Sequence, residues 1–218
     1  MEQKLLNFDA YFFDLDGTLL NTTPDIAAAI NMVREDEGLE RLSDRFIEAG
    51  VGYGATELLK HCFPNSYHQK AALLREKFTT AYAENVCIHT IPYPHAVSAL
   101  EYLNKEGKTV VLITNKPTRF ADPLLTQLDW KKYFSALYYG DTCTERKPSP
   151  VPLLAALEKY QYNREQVLFI GDTEADALAA QAAHIPLAIV NWGRAAKLVK
   201  EGQFGSTAQC IELSELHR

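Results

Sequence analysis

The chain has 218 residues, 47% of them hydrophobic and 23% charged, and a formal net charge of −6. That length allows one domain with a good core, or a domain plus an insert, and the composition is ordinary for a globular protein. The negative balance argues against non-specific nucleic-acid binding, no apolar run approaches the ~20 residues needed to span a bilayer, and the start, Met1-Glu2-Gln3-Lys4, has no secretory pattern.

Ala10-Tyr11-Phe12-Phe13 is a short apolar run and predicts a buried strand. Asp14-Leu15-Asp16-Gly17-Thr18 follows directly, so two carboxylates sit where the strand ends, beside a glycine that lets the backbone turn sharply. One carboxylate can attack while its neighbour handles protons. An attacking Asp points to an aspartyl-phosphate, one of the few covalent roles carboxylates play. Taken alone, the same five residues also fit a polar strand-to-loop turn or a plain cation site.

Residues 22–91 hold no good strand run and read as helices. Thr23-Pro24 opens the first, with Thr as N-cap and Pro in the first turn. Ile26, Ile30 and Val33 mark its apolar face, and Gly38 is its stop. A shorter helix is predicted over 54–62 and a longer one over 66–85. Gly50-Val51-Gly52-Tyr53-Gly54 resembles a dinucleotide loop, but no strand run precedes it, so it reads as a flexible loop. Tyr53, Phe63, Tyr67, Phe78 and Tyr82 read as helix packing rather than a stacking platform. Pro92-Tyr93-Pro94 marks the turn out of this block.

Beyond it, strand runs at 110–113, 136–139, 167–170 and Leu187–Val190 alternate with helix-period segments. Ala96, Ala99, Leu100 and Leu103 fall at i, i+3, i+4, i+7, and so do Ala175, Leu178, Ala179 and Ala182. This alternation predicts an α/β fold whose parallel sheet is covered on both faces. There is no internal repeat, and the six histidines lack metal-ligand spacing. Cys62, Cys87, Cys143 and Cys210 form no C-x-x-C pair, which predicts reduced thiols in a cytoplasmic protein.

Two of these later strand runs end in reactive residue types. Thr114-Asn115-Lys116 follows 110–113, and Gly171-Asp172-Thr173-Glu174-Ala175-Asp176 follows 167–170. Lys147 stands in Arg146-Lys147-Pro148, between the other two runs. In open α/β sheets ligands bind beyond the carboxyl ends of the strands, so these segments and the first Asp pair can converge. Asp14, Asp16, Asp172 and Asp176 would then repel one another, and a divalent cation would relieve that repulsion.

With these four segments in this order, the chain resembles the haloacid dehalogenase superfamily, and within it the phosphatases. The resemblance implies a Rossmann-like parallel sheet core with an inserted α-helical cap domain, the core in residues 1–20 and 91–218 and the cap in 21–90. It implies Asp14 as nucleophile and Asp16 as the acid and base that serves the leaving oxygen and then water. It implies Mg²⁺ held by side-chain oxygens of Asp14 and Asp172 and by the backbone carbonyl of Asp16. Asp176 would support the metal through water or orient Lys147; its alternative is a first-turn acid favoured by the helix dipole. Thr114 would offer its hydroxyl to the phosphate, ahead of amides that open a helix. Lys147 would be a fixed positive charge, aimed by Pro148. Asn115 would orient Asp14 or the phosphate, and Lys116 reads as surface charge.

The dehalogenase and phosphonate-cleaving branches lack the second Asp of the first motif, and the mutase branch has His where this chain has Ile26. Among the phosphatases the resemblance is nearest to the bacterial phosphoglycolate phosphatase group. It is strongest from Thr114-Asn115-Lys116-Pro117-Thr118-Arg119-Phe120 to Pro123-Leu124-Leu125, and in residues 50–59. The N-acetylmuramic acid 6-phosphate phosphatases share much of this pattern, including Arg119-Phe120. Asn21, His184 and Asn191-Trp192-Gly193 depart from the group. A non-catalytic binding protein on this fold would lack the nucleophile or a metal Asp, and both are present. The expected partner is a small phosphorylated metabolite, with no nucleic acid and no membrane, for a cytoplasmic monomer or homodimer.

Overall fold

Residues 10–13 are apolar on both sides of the pleat, and the strand they form is buried along its whole length. The computed structural model describes residues 5–205 and 208–217. Its first strand, β1 (Ala10–Phe13), leads through the Asp14–Thr18 turn into a two-residue strand, β2 (Leu20–Asn21). Four helices follow: α1 (Thr23–Asp36), α2 (Asp44–Glu48), α3 (Ala55–Cys62) and α4 (Tyr67–Asn85). The chain returns through β3 (Ile91–Pro92), which pairs antiparallel with β2, so the helical block leaves and re-enters at one place.

The remainder alternates helix and strand: α5 (Ala96–Lys105), β4 (Thr109–Ile113), α6 (Thr118–Gln127), β5 (Ala136–Tyr138), α7 (Val151–Tyr160) and β6 (Val167–Gly171). It ends with α8 (Glu174–Ala183), β7 (Leu187–Val190), α9 (Ala196–Lys200) and β8 (Ala208–Ile211). Six strands make one parallel sheet in the order β5-β4-β1-β6-β7-β8. The order reverses at β1, which pairs with β4 on one side and β6 on the other; such a reversal opens a crevice at the strand ends.

Alternate residues of the central strands feed two cores. Tyr11, Phe13, Leu112 and Ile170 pack on one face, and Phe12, Val111, Ile113 and Phe169 on the other. Burial on both faces is why these strands read as continuous apolar runs. Each fully buried Phe contributes ~1.5–3 kcal/mol relative to exposure. A third apolar cluster holds the helical block together through Ile30, Leu59, Leu74, Phe78 and Tyr82, and takes in Phe120 from α6. The architecture is the expected one, a doubly wound sheet carrying an inserted helical cap.

Several local expectations need correcting. The first helix is not capped by a Thr side chain. Thr22 occupies the N-cap without a capping bond, and its hydroxyl is instead given to Asp16. Helix α8 buries only half of the face its spacing suggests: Ala175 and Ala179 are buried, Leu178 and Ala182 are exposed, and Asp176, Ala177, Ala180 and Ala183 also face inward. Alanines mark a helix face only weakly, and the bonds made by Asp176 set the rotation. Strand β8 and the short helix α2, capped by Ser43 at the amide of Phe46, carry no strong sequence signal. Gly38, at φ +70°, does end α1.

Candidate active site

The strand ends place the reactive side chains. Asp14 follows β1, and its amide donates to the Ile170 carbonyl of β6 (2.9 Å). The chain then turns at Gly17, whose φ of +92° suits glycine, and a Cβ there would lie 2.4 Å from Asp172 Oδ2. The first loop thus slides directly under the carboxylate that follows β6. Trp192 holds it there by donating its indole N–H to the Gly17 carbonyl (2.9 Å).

Lys147, in the loop after β5, is the hub. Its ammonium donates to Asp14 Oδ1 (2.7 Å), Asp176 Oδ1 (2.6 Å) and the Ile113 carbonyl (2.8 Å), which uses all three of its hydrogens. The Lys147–Pro148 peptide is cis. Asp176 Oδ2 accepts from the amide of Thr173 (2.9 Å), the hydroxyl of Thr173 (2.7 Å) and the amide of Asp172 (3.2 Å). Asp176 therefore caps its own helix and holds Lys147 at once.

These contacts decide the charge states. Burial lifts the Asp14 carboxyl to about 7, helped by Asp176 and Asp16 and opposed by Lys147. Asp172 is raised well above the carboxylate range by burial and by the charges of Asp176 and Asp14. Burial would also raise Asp176, but Lys147 and the Thr173 donors overcome it and hold Asp176 below its ordinary value. Lys147 is raised, because Asp14 and Asp176 outweigh its burial.

Thr114 follows β4 and is buried; its Oγ1 accepts from the amide of Lys116 (3.1 Å). Asn115 donates through Nδ2 to the carbonyls of Gly52 (3.0 Å) and Lys147 (2.8 Å). It makes no hydrogen bond to Asp14, and it ties the cap loop to the loop of Lys147. Its Oδ1 is buried without a partner. Gly52 has φ +94°, and a Cβ on it would meet Thr173 at 2.8 Å, so the loop lies close against the sheet edge.

Lys116 is not surface charge. It is 6% exposed, and its ammonium donates to Asp16 Oδ1 (2.9 Å) and to the Tyr82 hydroxyl (2.6 Å). Asp16 Oδ1 also accepts from the Thr22 hydroxyl (2.6 Å). Tyr82 does pack in the cap, stacked on Phe78, and it carries this polar contact as well. Asp14, Asp16, Thr114, Asn115 and Lys116 line a cavity of about 50 Å³, whose apolar walls include Phe78, Leu58 and Phe120.

Arg194, after β7, carried no motif signal. It donates to the carbonyls of Glu48 (2.7 Å) and Ala49 (2.9 Å) and to that of Val51, and its Nε lies 3.9 Å from Asp172 Oδ2. Asp25 was equally unmarked. Its carboxylate accepts from the amides of Ile88, His89 and Thr90 and from the Thr90 hydroxyl, bracing the segment that leads from the cap into β3. A Thr-Pro-Asp sequence at a helix start reads only as a first turn, which leaves Asp25 without a signal of its own.

The sequence model described as haloacid dehalogenase-like hydrolase matches residues 11–190. The chain belongs to the haloacid dehalogenase-like hydrolases. It is 36% identical over 187 residues to a phosphoglycolate phosphatase of Pseudomonas fluorescens, covering 83% of this chain and 68% of the relative. It is 37% identical over 185 residues to a phosphoglycolate phosphatase of Yersinia pestis, covering 83% and 80%. Among solved structures it is similar to one described as a predicted phosphoglycolate phosphatase from Haemophilus somnus, with TM-score 0.85, 27% identity and 97% of each chain covered. A subfamily IA hydrolase of the superfamily from Geobacter sulfurreducens matches with TM-score 0.73 at 25% identity, covering 99% and 98%.

This hydrolase is thus an enzyme whose curated relatives are phosphatases. Its site suits a divalent cation. Four buried carboxylates (Asp14, Asp16, Asp172, Asp176) face two buried lysines, so before the more distant Arg194 is counted they cannot all ionise with a cationic partner each, and burial holds Asp14 and Asp172 above their ordinary values. Oxygens of Asp14, Asp172 and Asp176 come within 4.8 Å of one another. Both Asp176 oxygens are already hydrogen-bonded, whereas Asp14 Oδ2 and Asp172 Oδ1 have only long contacts from the Thr18 hydroxyl (3.5 and 3.3 Å). The donor set is all oxygen, which favours a hard ion such as Mg²⁺. No helix among the described residues is long and apolar enough to cross a membrane.

Proposed function

We propose that this hydrolase is a Mg²⁺-dependent phosphatase that works through an aspartyl-phosphate on a small phosphorylated metabolite, 2-phosphoglycolate. The observation that carries the reaction is the division of labour at the end of β1. Lys147 pins Asp14 through Oδ1 and leaves Oδ2 without a short hydrogen bond, while Asp16, two residues on, lines the same cavity. A paired acid and nucleophile with different surroundings is what phosphoryl transfer through a carboxylate needs.

Asp14 Oδ2 would attack phosphorus in line with the ester oxygen, and Asp16 would give that oxygen its proton as the P–O bond breaks. Asp16 would next take a proton from water, whose oxygen attacks the phosphorus and restores the Asp14 carboxylate. Thr114 would meet the phosphoryl oxygens through its hydroxyl. Lys147 acts by its charge and by holding Asp14, since its hydrogens are committed. The side chains of Asp14 and Asp172 and the carbonyl of Asp16 would hold Mg²⁺. Once bound, the ion supplies positive charge to the phosphoryl group and keeps its carboxylate ligands ionised.

The size of the cavity and the names of the relatives support a small leaving group. About 50 Å³ is room for roughly three to five water-sized positions, taking ~10–15 Å³ for each. A two-carbon acid suits that space. We also propose that residues 21–90 form the cap unit and residues 1–20 and 91–218 the core, in a cytoplasmic monomer or homodimer.

Phosphate release in Mg²⁺ from 2-phosphoglycolate, N-acetylmuramic acid 6-phosphate, sugar phosphates and nucleoside monophosphates tests this reading. The expected result is a kcat/KM for phosphoglycolate at least ~100-fold above the others, or ~2.7 kcal/mol of discrimination. Excess chelator should abolish turnover and added Mg²⁺ restore it. Preference for the muramic acid ester would overturn the substrate, and full activity in chelator would overturn the metal site.

A further inference from the structure

A lysine ammonium carries three hydrogens. Lys116 gives one to Asp16 and one to Tyr82; the third has no acceptor among the described residues. The Tyr82 hydroxyl accepts from Lys116, and its own proton likewise has no acceptor there. Two unspent donors, one charged, therefore line a cavity that also holds Asp14 and Asp16 and whose remaining walls are largely apolar. Burying an ammonium beside one carboxylate that already accepts from Thr22 is a costly way to build a wall, and an apolar side chain would fill the place more cheaply.

The position of these donors matters as much as their number. Asp16 is the residue assigned to the leaving oxygen, and Lys116 Nζ lies 2.9 Å from its Oδ1. A group attached to the carbon next to the ester oxygen would therefore come to Lys116 and Tyr82. We propose that Lys116 and Tyr82 form an anion-reading subsite that selects esters whose leaving group carries a carboxylate on the carbon bearing the ester oxygen. The inference rests on the phosphatase reading above and deepens it. The carboxylate accepts the third Lys116 hydrogen and the Tyr82 hydroxyl proton, both charge-assisted contacts. An ester whose leaving group ends in a hydroxyl offers the two donors one neutral acceptor in place of a charged, two-oxygen one, and the loss of charge-assisted pairing is the source of discrimination. The cap thereby takes part in selection with Tyr82, while every group assigned to the chemistry stays on the sheet edge.

The readout is the ratio of kcat/KM for 2-phosphoglycolate to that for 2-hydroxyethyl phosphate, its uncharged counterpart, in saturating Mg²⁺. Wild type should favour the carboxylate ester, and Lys116→Met should lower the ratio by at least ~30-fold. Tyr82→Phe keeps the packing and the Lys116–Asp16 contact, and should lower the ratio by about 3- to 10-fold. It also carries the test by itself if the lysine variant does not fold. A common loss on both esters with the ratio unchanged would make Lys116 a partner of Asp16 alone and overturn the subsite, leaving the substrate reading intact. A wild-type enzyme that hydrolyses phosphate esters but shows no preference for the carboxylate would overturn the phosphoglycolate reading, and the subsite with it.

Discussion

At the carboxyl edge of the sheet, each hydrogen of the Lys147 ammonium goes to a particular oxygen, two of them on side chains. The cap meets that edge differently. It is held mainly through its backbone carbonyls, which accept from Asn115 at Gly52 and from Arg194 at Glu48, Ala49 and Val51. The sheet edge therefore depends on what its residues are, and the cap loop depends mostly on where its backbone lies. A carbonyl acceptor exists at every position, so the cap loop can change side chains without losing its attachment except at Gly52, where a Cβ would meet Thr173. Tyr82 is an exception, a cap side chain whose identity matters to the site.

The sharpest way to break this comparison is at Asp14. Asp14→Asn should remove a nucleophile and lower kcat on the order of 10⁴-fold or more, while the fold survives. It also removes one of four crowded carboxylates, so the metal-free variant should melt no lower than wild type. Phosphate release and a thermal melt check the two halves. Retained turnover would sink the assignment of Asp14.

What could be read in the sequence follows the same division. Asp14, Thr114 and Asp172 stand just after strands that are buried on both faces, and an uninterrupted apolar run marks both the strand and its end. Lys147 is legible only by its place between those runs. Lys116 is not legible, because its burial depends on Asp16 and Tyr82, which lie 100 and 34 residues away. Arg194 and Asp25 are hidden for a related reason. Their partners are backbone groups, and backbone groups leave no mark in a sequence. The face of α8 is only half legible, because its one strong apolar residue, Leu178, points outward, while Asp176 turns inward to Lys147.

Lys147 offers the next test of the sheet edge. Lys147→Met leaves Asp14 and Asp176 buried without their common cation, and losing one partner of a buried pair typically costs ~3–5 kcal/mol. Denaturant unfolding should show that loss alongside a collapse of turnover. Unfolding stability within ~1 kcal/mol of wild type would mean that the network is looser than its geometry.

A smaller effect is expected where the cap is braced. Asp25→Ala strips three amides and one hydroxyl of their acceptor, at a cost of ~1–3 kcal/mol. The brace holds the segment just before β3 and touches no group assigned to chemistry. KM should therefore rise more than kcat falls. A drop in kcat with KM unchanged would place Asp25 on the catalytic side of the comparison.

The mildest test lies on the outer surface of the cap. Glu37, just past α1, accepts from Lys70 and Lys77 of α4, and those hydrogen bonds pull its carboxyl down to about 2 from an ordinary 4.5. A folded-state value below the unfolded one gives stability that is complete above about 4.5 and is lost as pH falls towards 2. Glu37→Gln should therefore melt slightly below wild type at pH 7, and the gap should close by about pH 2 to 3. The gap should also shrink in high salt, because these charges are near solvent. A gap that persists unchanged in acid would mean that Glu37 holds the helices together by packing rather than by charge, and that the cap's outer face owes as little to titratable groups as its loop does.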